Sequence, residues 1–371
     1  MRLQIDCKNN KSSEKFEVNE AFLQISSQIK SELRQKPYNE GINYLVGKLG
    51  FNELFSNRLK TVNLSSDYIN GVVDFGQAPL LVMICEKLKE AAISTIAEEV
   101  AVRDDIKIVL IAGPSSSGKT TFCKKLAFAL RQQGIEPYGI SLDDYYVSPE
   151  LSPLDENGEH DYESIYALNL ELFQEHLAQL LDGKEVELPH YDFATGTTIN
   201  SGNKVSLAKD SVIILEGLHA LNPLLTGDVS QDDLFHVYIS ALTTYLLPDG
   251  SVFPTTDNRL LRRIVRDAKF RNTNAQQTIQ RWPSVRRGEE KWIVPFQEYA
   301  DINFCSGFQY EICFLKQYAL PLLMDVRPDQ AEYEEAQRLI KVCSLYNEIP
   351  VDLLPPYSLL REFLGGSAYE Y

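Results

Sequence analysis

The sequence predicts an α/β fold in which a parallel β-sheet carries helices on both faces, and two observations support this prediction. Strand-like apolar runs (137–142, 211–215, 234–240) alternate with helical patterns such as 170–181. Alternation of this kind is typical of parallel sheets. The second observation is an apolar run at 106–112 that leads into a glycine-containing loop and then a helical pattern.

That loop follows the pattern Gly113-x-x-x-x-Gly118-Lys119-Thr120, which is typical of a phosphate-binding loop, or P-loop. Its glycines allow backbone N–H groups to turn inward around phosphate oxygens. We expect Lys119 to reach the β and γ phosphates and Thr120 to offer its hydroxyl to Mg²⁺, at the start of a helix over 121–131. The predicted contacts to a nucleoside triphosphate are Gly113, Ser115, Ser116, Ser117, Gly118, Lys119, Thr120 and Thr121.

The composition narrows the class of protein. The 371 residues suffice for two domains, and the formal net charge of −16 disfavours a nucleic-acid partner, whose binding depends on phosphate neutralisation. No stretch has the roughly 18 apolar residues that span a bilayer, and the start of the chain lacks the apolar core of a secretory signal. Six scattered cysteines without C-x-x-C spacing argue against a zinc site or a disulfide framework. We therefore expect a cytoplasmic protein without a membrane partner.

One tract departs from the acidic composition. Between Arg259 and Lys291 there are ten Lys and Arg residues against three acids. In a chain with a P-loop, such a cationic patch is expected to serve the triphosphate. The alternative is a solvated helix face.

Acidic residues follow two of the predicted strands. Asp143 and Asp144 come after the strand at 137–142, and Glu216 follows the strand at 211–215. Because ligands of open α/β sheets bind beyond the carboxyl ends of the strands, we expect these carboxylates beside the γ-phosphate. One of the pair could accept the proton of an attacking hydroxyl, and Glu216 is expected to hold Mg²⁺. For Asp144, a loop or helix-capping role is the alternative.

Several motifs in order resemble the uridine kinase and phosphoribulokinase family, in particular its bacterial uridine kinase-like branch. These motifs are GPSSSGKTT, SLDDYY, ELPHYDF, LEGLHAL, TTDNRLLRRIVRD, WPSVRRGEEKWIVPFQEYAD and the C-terminal LLREFLGG. The resemblance implies a kinase that transfers the γ-phosphate of ATP to the 5′-hydroxyl of a nucleoside, uridine or cytidine first, with Mg²⁺. It also implies a homo-oligomer by analogy with family members.

The resemblance further implies residue roles. Asp143 matches the general base, and Lys119, Thr120 and Glu216 match the phosphate and metal groups. The implied substrate-binding residues are Asp161 at the ribose, Tyr191 beside the base, Arg259 and Gln277. The implied lid over the triphosphate contains Arg262, Arg263, Arg266 and Arg271, of which Arg262 and Arg263 are expected to take part in catalysis.

Two features depart from the family pattern. Where uridine-cytidine kinases place a base-reading histidine, this chain has Ala194-Thr195-Gly196, although His190 could compensate. No threonyl-tRNA-synthetase-like editing domain is recognised before the P-loop. The predicted organisation is an N-terminal domain of unknown role (1–100), a P-loop kinase domain (101–330) and a helical extension packed on it (331–371).

Two other functions stay open at this point. One keeps the fold and changes the acceptor to another hydroxylated metabolite, such as a sugar phosphate. The other is a regulatory switch that binds nucleotide and reports it to a partner. The sequence contains no N-K-x-D motif, which disfavours a GTPase.

Overall fold

The structure is a computed structural model of the 371-residue chain. It describes residues 64–103, 105–155, 158–192, 195–208, 211–242, 245–247 and 250–370. Most of the predicted N-terminal domain, and Ala194 in the departure from the family pattern, lie outside the described residues.

The described residues form ten α-helices, which are numbered in chain order. They are α1 (Ser66–Asp74), α2 (Ala78–Val102), α3 (Lys119–Gln132), α4 (Leu170–Leu181), α5 (Pro223–Thr226), α6 (Thr255–Phe270), α7 (Ala275–Trp292), α8 (Glu311–Met324), α9 (Tyr333–Cys343) and α10 (Arg361–Leu364). The helix predicted over 121–131 is α3, which begins directly after the glycine loop. The helix predicted over 170–181 is α4.

Ten strands accompany these helices. They are β1 (Leu64–Ser65), β2 (Ile108–Ala112), β3 (Glu136–Ser141), β4 (Val186–Asp192), β5 (Thr197–Val205), β6 (Ser211–Glu216), β7 (Leu234–Ser240), β8 (Tyr245–Leu246), β9 (Val252–Phe253) and β10 (Ile302–Cys305). Five of them form the central sheet in the order β10-β7-β2-β6-β3, and every neighbouring pair is parallel. The P-loop strand β2 therefore lies in the middle of the sheet.

Both faces of this sheet are covered, as is expected for a parallel sheet whose strands are connected through helices. In β2, Val109 and Ile111 join the cluster that contains residues of α3 and α8, whereas Ile108 and Leu110 join the cluster that contains residues of α4. Successive side chains thus enter opposite hydrophobic cores. The predicted fold class, a parallel sheet with helices on both faces, is confirmed.

Two segments outside the sheet belong to the first of these cores. Helix α2 contributes residues such as Cys85 and Ile96, and the C-terminal segment contributes Leu339 and Phe363. The described part of the predicted N-terminal domain is therefore continuous with the core of the sheet. The domain boundaries at residues 100 and 330 stay predictions.

Two smaller β structures flank the central sheet. Strands β4 and β5 form an antiparallel hairpin, and β1 pairs in parallel with β8 at the edge of a three-stranded sheet. No single helix in the described residues is long and apolar enough to cross a membrane. Helices α1 and α2 meet that requirement only together, as a pair bent by 119°.

Candidate active site

The P-loop takes its shape from three residues with specific backbone requirements. A Cβ atom on Gly113 would lie 2.2 Å from the Ile239 carbonyl oxygen, so only glycine fits between β2 and β7. Gly118 (φ 89°) and Ser116 (φ 59°) adopt left-handed conformations, which turn the chain sharply into α3. The loop therefore curls around the N-terminus of α3, where backbone N–H groups and the helix dipole attract anions.

Lys119, the first residue of α3, folds back over this loop. Its ammonium group donates hydrogen bonds to the carbonyl oxygens of Gly113 at 2.9 Å and Pro114 at 3.4 Å. The side chain is thus held by weak neutral acceptors at the mouth of the loop. A phosphate group there would offer it a charged acceptor and a stronger hydrogen bond.

Thr120 and Glu216 meet beside the loop. The Thr120 hydroxyl donates to Glu216 Oε1 at 3.1 Å, because Glu216 ends β6 next to β2 in the sheet. Burial and the nearby Asp143 carboxylate raise the pKa of Glu216 to about 7. A buried carboxylate whose pKa is raised by a neighbouring carboxylate lies where a cation would be stabilised.

Asp143 lies at the end of the neighbouring strand, within a 3₁₀ turn over Leu142–Tyr145. Burial raises its pKa, while the positive charges of Lys119 and Arg271 oppose that rise. This carboxylate therefore faces both the P-loop lysine and one of the predicted lid arginines. The register of β3 with β6 places Ser141, two residues before Asp143, opposite Glu216.

Asp144 has a different position from Asp143. Its Oδ1 accepts a hydrogen bond from the Tyr191 backbone N–H at 3.2 Å and lies 3.0 Å from His190 Nδ1. Asp144 thus fixes strand β4 against the end of β3, in agreement with the alternative of a loop role. His190, the residue that could compensate for the missing base-reading histidine, is paired with this carboxylate and half exposed.

The position predicted for Arg262, in a lid over the triphosphate, is wrong. Its side chain is fully buried and forms an ion pair with Glu311 of α8. The guanidinium also donates to the Ser116 carbonyl oxygen and the Ser306 hydroxyl, both at 3.2 Å. Arg262 therefore supports the P-loop from beneath. The physical reason is the buried Glu311, which compensates the desolvation of the guanidinium.

Arg259 also lies where the resemblance did not place it. It was expected at the nucleoside, but its side chain is 3 % exposed, forms an ion pair with Glu289 of α7 and donates to the Ser115 carbonyl oxygen at 2.9 Å. Glu289 in turn accepts from the Ser115 backbone N–H at 3.1 Å. This pair fixes both backbone polar groups of Ser115, so Arg259 supports the loop from another side.

The remaining predicted lid arginines lie at or beyond the loop. Arg263 donates to the Ser115 hydroxyl at 2.8 Å, and Arg266 forms an ion pair with Asp267 at 2.7 Å. Arg271 follows the last residue of α6, and its side chain is 53 % exposed. The phosphate-binding roles of these three residues stay predictions.

The predicted acceptor residues occupy separate environments. Asp161 accepts from the Trp292 indole N–H at 3.1 Å, and its side chain is 15 % exposed. Tyr191 is 7 % exposed, and its ring centroid lies 5.8 Å from that of Tyr146. Gln277 is exposed and forms the capping box of α7 with Asn274, which gives it a structural role; its substrate contact stays a prediction.

The sequence reasoning missed a carboxylate close to these groups. Burial raises the pKa of Glu163 to about 7, in the field of Arg263 and Lys119, and its Oε2 is buried without a hydrogen-bond partner among the described residues. A Cβ atom on Gly288 would lie 2.3 Å from Glu163 Cβ, so the glycine of α7 makes room for this side chain. In the sequence, the one feature that could have indicated Glu163 is its position two residues after Asp161.

The metal-binding capacity of the site fits one ion in particular. The described residues contain no group of three or more His, Cys, Asp or Glu side chains arranged to hold a metal. Mg²⁺, however, commonly uses only one or two carboxylates and completes its octahedron with water and substrate phosphates. The Thr120 hydroxyl and the Glu216 carboxylate beside an anion-binding loop match that requirement.

Comparisons with known proteins agree with this geometry. The model of the phosphoribulokinase/uridine kinase family matches residues 108–312. Uridine kinases from Staphylococcus aureus strains JH9 and Newman are each 31 % identical over 204 residues, which cover 54 % of this chain and 87 % of the relative.

Two solved structures also align with the chain. One, provisionally described as a fructose transport system kinase from Silicibacter sp. TM1040, has 21 % identity and a TM-score of 0.43 over 57 % of this chain and 98 % of that one. The other, described as a possible uridine kinase from Bacillus stearothermophilus, has 22 % identity and a TM-score of 0.39 over 57 % and 96 %. Because the family model spans more than half of the 371 residues, the protein belongs to the phosphoribulokinase/uridine kinase family of kinases.

Proposed function

We propose that the protein transfers the γ-phosphate of ATP to the 5′-hydroxyl of uridine or cytidine, with Mg²⁺ as the metal. The observation that carries this proposal is the meeting of the P-loop with two carboxylates of raised pKa. Lys119 exerts its charge on both Asp143 and Glu216, and Thr120 contacts Glu216 directly. Base, metal ligand and phosphate-binding cation therefore surround one small volume.

In this reaction Asp143 acts as the general base. It accepts the proton of the acceptor hydroxyl as that oxygen forms a bond to the γ-phosphorus and the bond to the β-phosphate oxygen breaks, which releases ADP. Burial raises the pKa of Asp143 towards the range where a carboxylate is an efficient base at neutral pH. Lys119 and Arg271, which oppose that rise, keep the carboxylate available in its charged form.

The metal would be held by Thr120 and Glu216. When bound there, Mg²⁺ supplies neutralisation of the charge on the phosphate oxygens. The chain's own side chains position the triphosphate. The Lys119 ammonium group exchanges its hydrogen bonds to the carbonyl oxygens of Gly113 and Pro114 for hydrogen bonds to the phosphates. Positioning and electrostatic stabilisation account for most of the catalysis in phosphoryl transfer.

The acceptor is proposed to bind between Asp161 and Tyr191. Asp161 keeps accessible carboxylate surface for ribose hydroxyls, while the Trp292 indole holds it in place. The Tyr191 ring beside Tyr146 offers an aromatic surface for a base. With no polar group yet assigned to read the pyrimidine edge, we expect uridine and cytidine to react at rates within about tenfold of each other.

The experiment is steady-state ATP turnover by the full chain, with Mg²⁺, against a panel of nucleosides and sugar phosphates. We expect turnover with uridine and cytidine, and its loss in Asp161→Asn with ATP binding retained. Glu171→Gln, on the exposed first turn of α4, is a matched control that removes one carboxylate charge elsewhere. Turnover with a sugar phosphate but no nucleoside would contradict the proposed acceptor, and nucleotide binding without turnover would contradict the kinase activity itself.

A further inference from the structure

The first turn of the P-loop helix α3 is in contact with a carboxylate from the C-terminal part of the chain. Glu362, in α10, accepts hydrogen bonds from the Thr121 backbone N–H at 3.1 Å and from the Thr121 hydroxyl at 2.6 Å. Thr121 is fully buried, so this contact is shielded from water. A segment 241 positions away thus contributes a negative charge to the anion-binding end of α3.

A tight turn presents Glu362 to the helix. The neighbouring Arg361 donates to the carbonyl oxygens of Val351 at 3.0 Å, Leu354 at 2.5 Å and Gly365 at 3.3 Å, which closes the turn on itself. Because Arg361 is occupied in this way, it does not neutralise Glu362. The carboxylate is instead directed at the helix N-terminus.

Two further contacts dock this turn beside the P-loop. The Phe363 ring is fully buried, and its centroid lies 4.8 Å from the guanidinium carbon of Arg262. Lys269 donates to the Leu364 carbonyl oxygen at 2.6 Å. We refer to residues 357–366 as the C-terminal arm. Its docking surface is therefore the same pair of helices, α3 and α6, that forms the candidate nucleotide site.

The occupied N–H group differs from its neighbours. The backbone N–H groups of Ser116, Gly118, Lys119 and Thr120 make no hydrogen bond within the described part of the chain. The first four N–H groups of a helix have no partner inside the helix, and in a P-loop they are available to phosphate oxygens. At the start of α3 the fourth of these groups, that of Thr121, is bound to Glu362.

We infer that Glu362 occupies the position of a phosphate oxygen of the nucleotide, and that nucleotide binding displaces the C-terminal arm from α3. The inference rests on the proposed nucleotide site. A carboxylate and a phosphate cannot share one N–H group, because their like charges would lie within a few ångströms of each other. Each therefore weakens the binding of the other, and this coupling must be reciprocal.

The first test is the affinity for ATP and Mg²⁺, measured by calorimetry on the full chain. Glu362→Gln keeps an oxygen that can accept from Thr121 but removes the charge, so we expect it to bind ATP about tenfold more tightly than the wild type. Asp352→Asn is the matched control, since it removes one exposed charge shortly before the C-terminal arm and should leave the affinity unchanged.

The second test is hydrogen exchange of residues 357–366, which reads the arm directly. Addition of ATP and Mg²⁺ to the wild type should increase exchange in these residues, and Glu362→Gln should show raised exchange without nucleotide. Equal ATP affinity in wild type and Glu362→Gln, or slower exchange of the arm with ATP, would show that Glu362 is only a cap of α3. Absence of ATP binding in both proteins would instead overturn the nucleotide site, and the inference with it.

Discussion

Glu311 is the carboxylate on which the buried position of Arg262 depends, so we expect Glu311→Ala to destabilise the fold. Glu311 is fully buried and forms the ion pair with the Arg262 guanidinium. It also accepts from the Asn258 side-chain amide at 3.2 Å and from the Phe308 backbone N–H at 3.1 Å. The substitution therefore removes the compensating charge of one buried cation and an acceptor for two further donors.

The expected magnitude follows from that environment. Breaking a buried ion pair by removing one partner costs about 3–5 kcal/mol of the free energy of unfolding. Unfolding a fold of about 300 residues has an entropy of about 0.6 kcal/mol/K, so each kcal/mol lowers Tm by about 1.6 °C and the expected decrease is roughly 5–8 °C. Replacing both partners by apolar residues of similar size, Arg262→Met with Glu311→Leu, should recover most of the loss because no unpaired charge remains.

Thermal and urea unfolding followed by circular dichroism would measure these differences. Glu136→Gln is the control, because it disrupts an ion pair with Arg131 in which both side chains are more than half exposed, and it should leave Tm unchanged. A Glu311→Ala variant with wild-type Tm would refute the argument. A Glu311→Ala variant that loses kcat without any loss of stability would instead support a lid role for Arg262.

Three further predictions concern the reaction. Asp143→Asn should lower kcat severely with ATP binding retained, whereas Asp144→Asn, which loosens only the contact with β4, should be milder; steady-state kinetics in which this order is reversed would identify Asp144 as the base. Lys119→Ala should lower kcat by about a hundredfold to a thousandfold, and near-normal turnover in a folded variant would contradict the P-loop assignment. Because the pKa of Glu216 is raised to about 7, its carboxylate is increasingly protonated below that pH, and the affinity for Mg²⁺ should fall as the pH decreases from 8 to 6. Mg²⁺ titrations of activity at several pH values would detect this fall. A pH-independent affinity would argue against Glu216 as a ligand.

The parts of the fold that depend on local sequence could be predicted. The helix expected over 121–131 is observed as Lys119–Gln132, and the strand expected over 211–215 is observed as Ser211–Glu216. Glycine spacing and apolar periodicity act over a few residues, so a single sequence reveals them. The meeting of Thr120 with Glu216 was likewise predictable, since the carboxyl ends of parallel strands share one edge of the sheet.

The roles of the arginines were not predictable by the same reasoning. A cationic helix face looks identical in sequence whether it meets solvent, phosphate or buried carboxylates. What distinguishes these cases for Arg259 and Arg262 is a partner 30 or 49 residues away, Glu289 or Glu311. The contact of Glu362 with Thr121 spans a still larger separation. Long-range charge compensation of this kind becomes visible only when the helices are placed in space.

The continuity of α2 with the sheet determines where the chain can be divided. A fragment that begins at residue 101 would lose buried side chains such as Leu81, Ile93 and Ile96, which cover one side of the sheet. It would also lose β1 and leave its pairing partner β8 as an open strand edge. Exposed apolar surface and open strand edges promote aggregation. Expression of the catalytic part alone should therefore begin no later than residue 64, so that α2 and β1 stay with the framework that carries the P-loop.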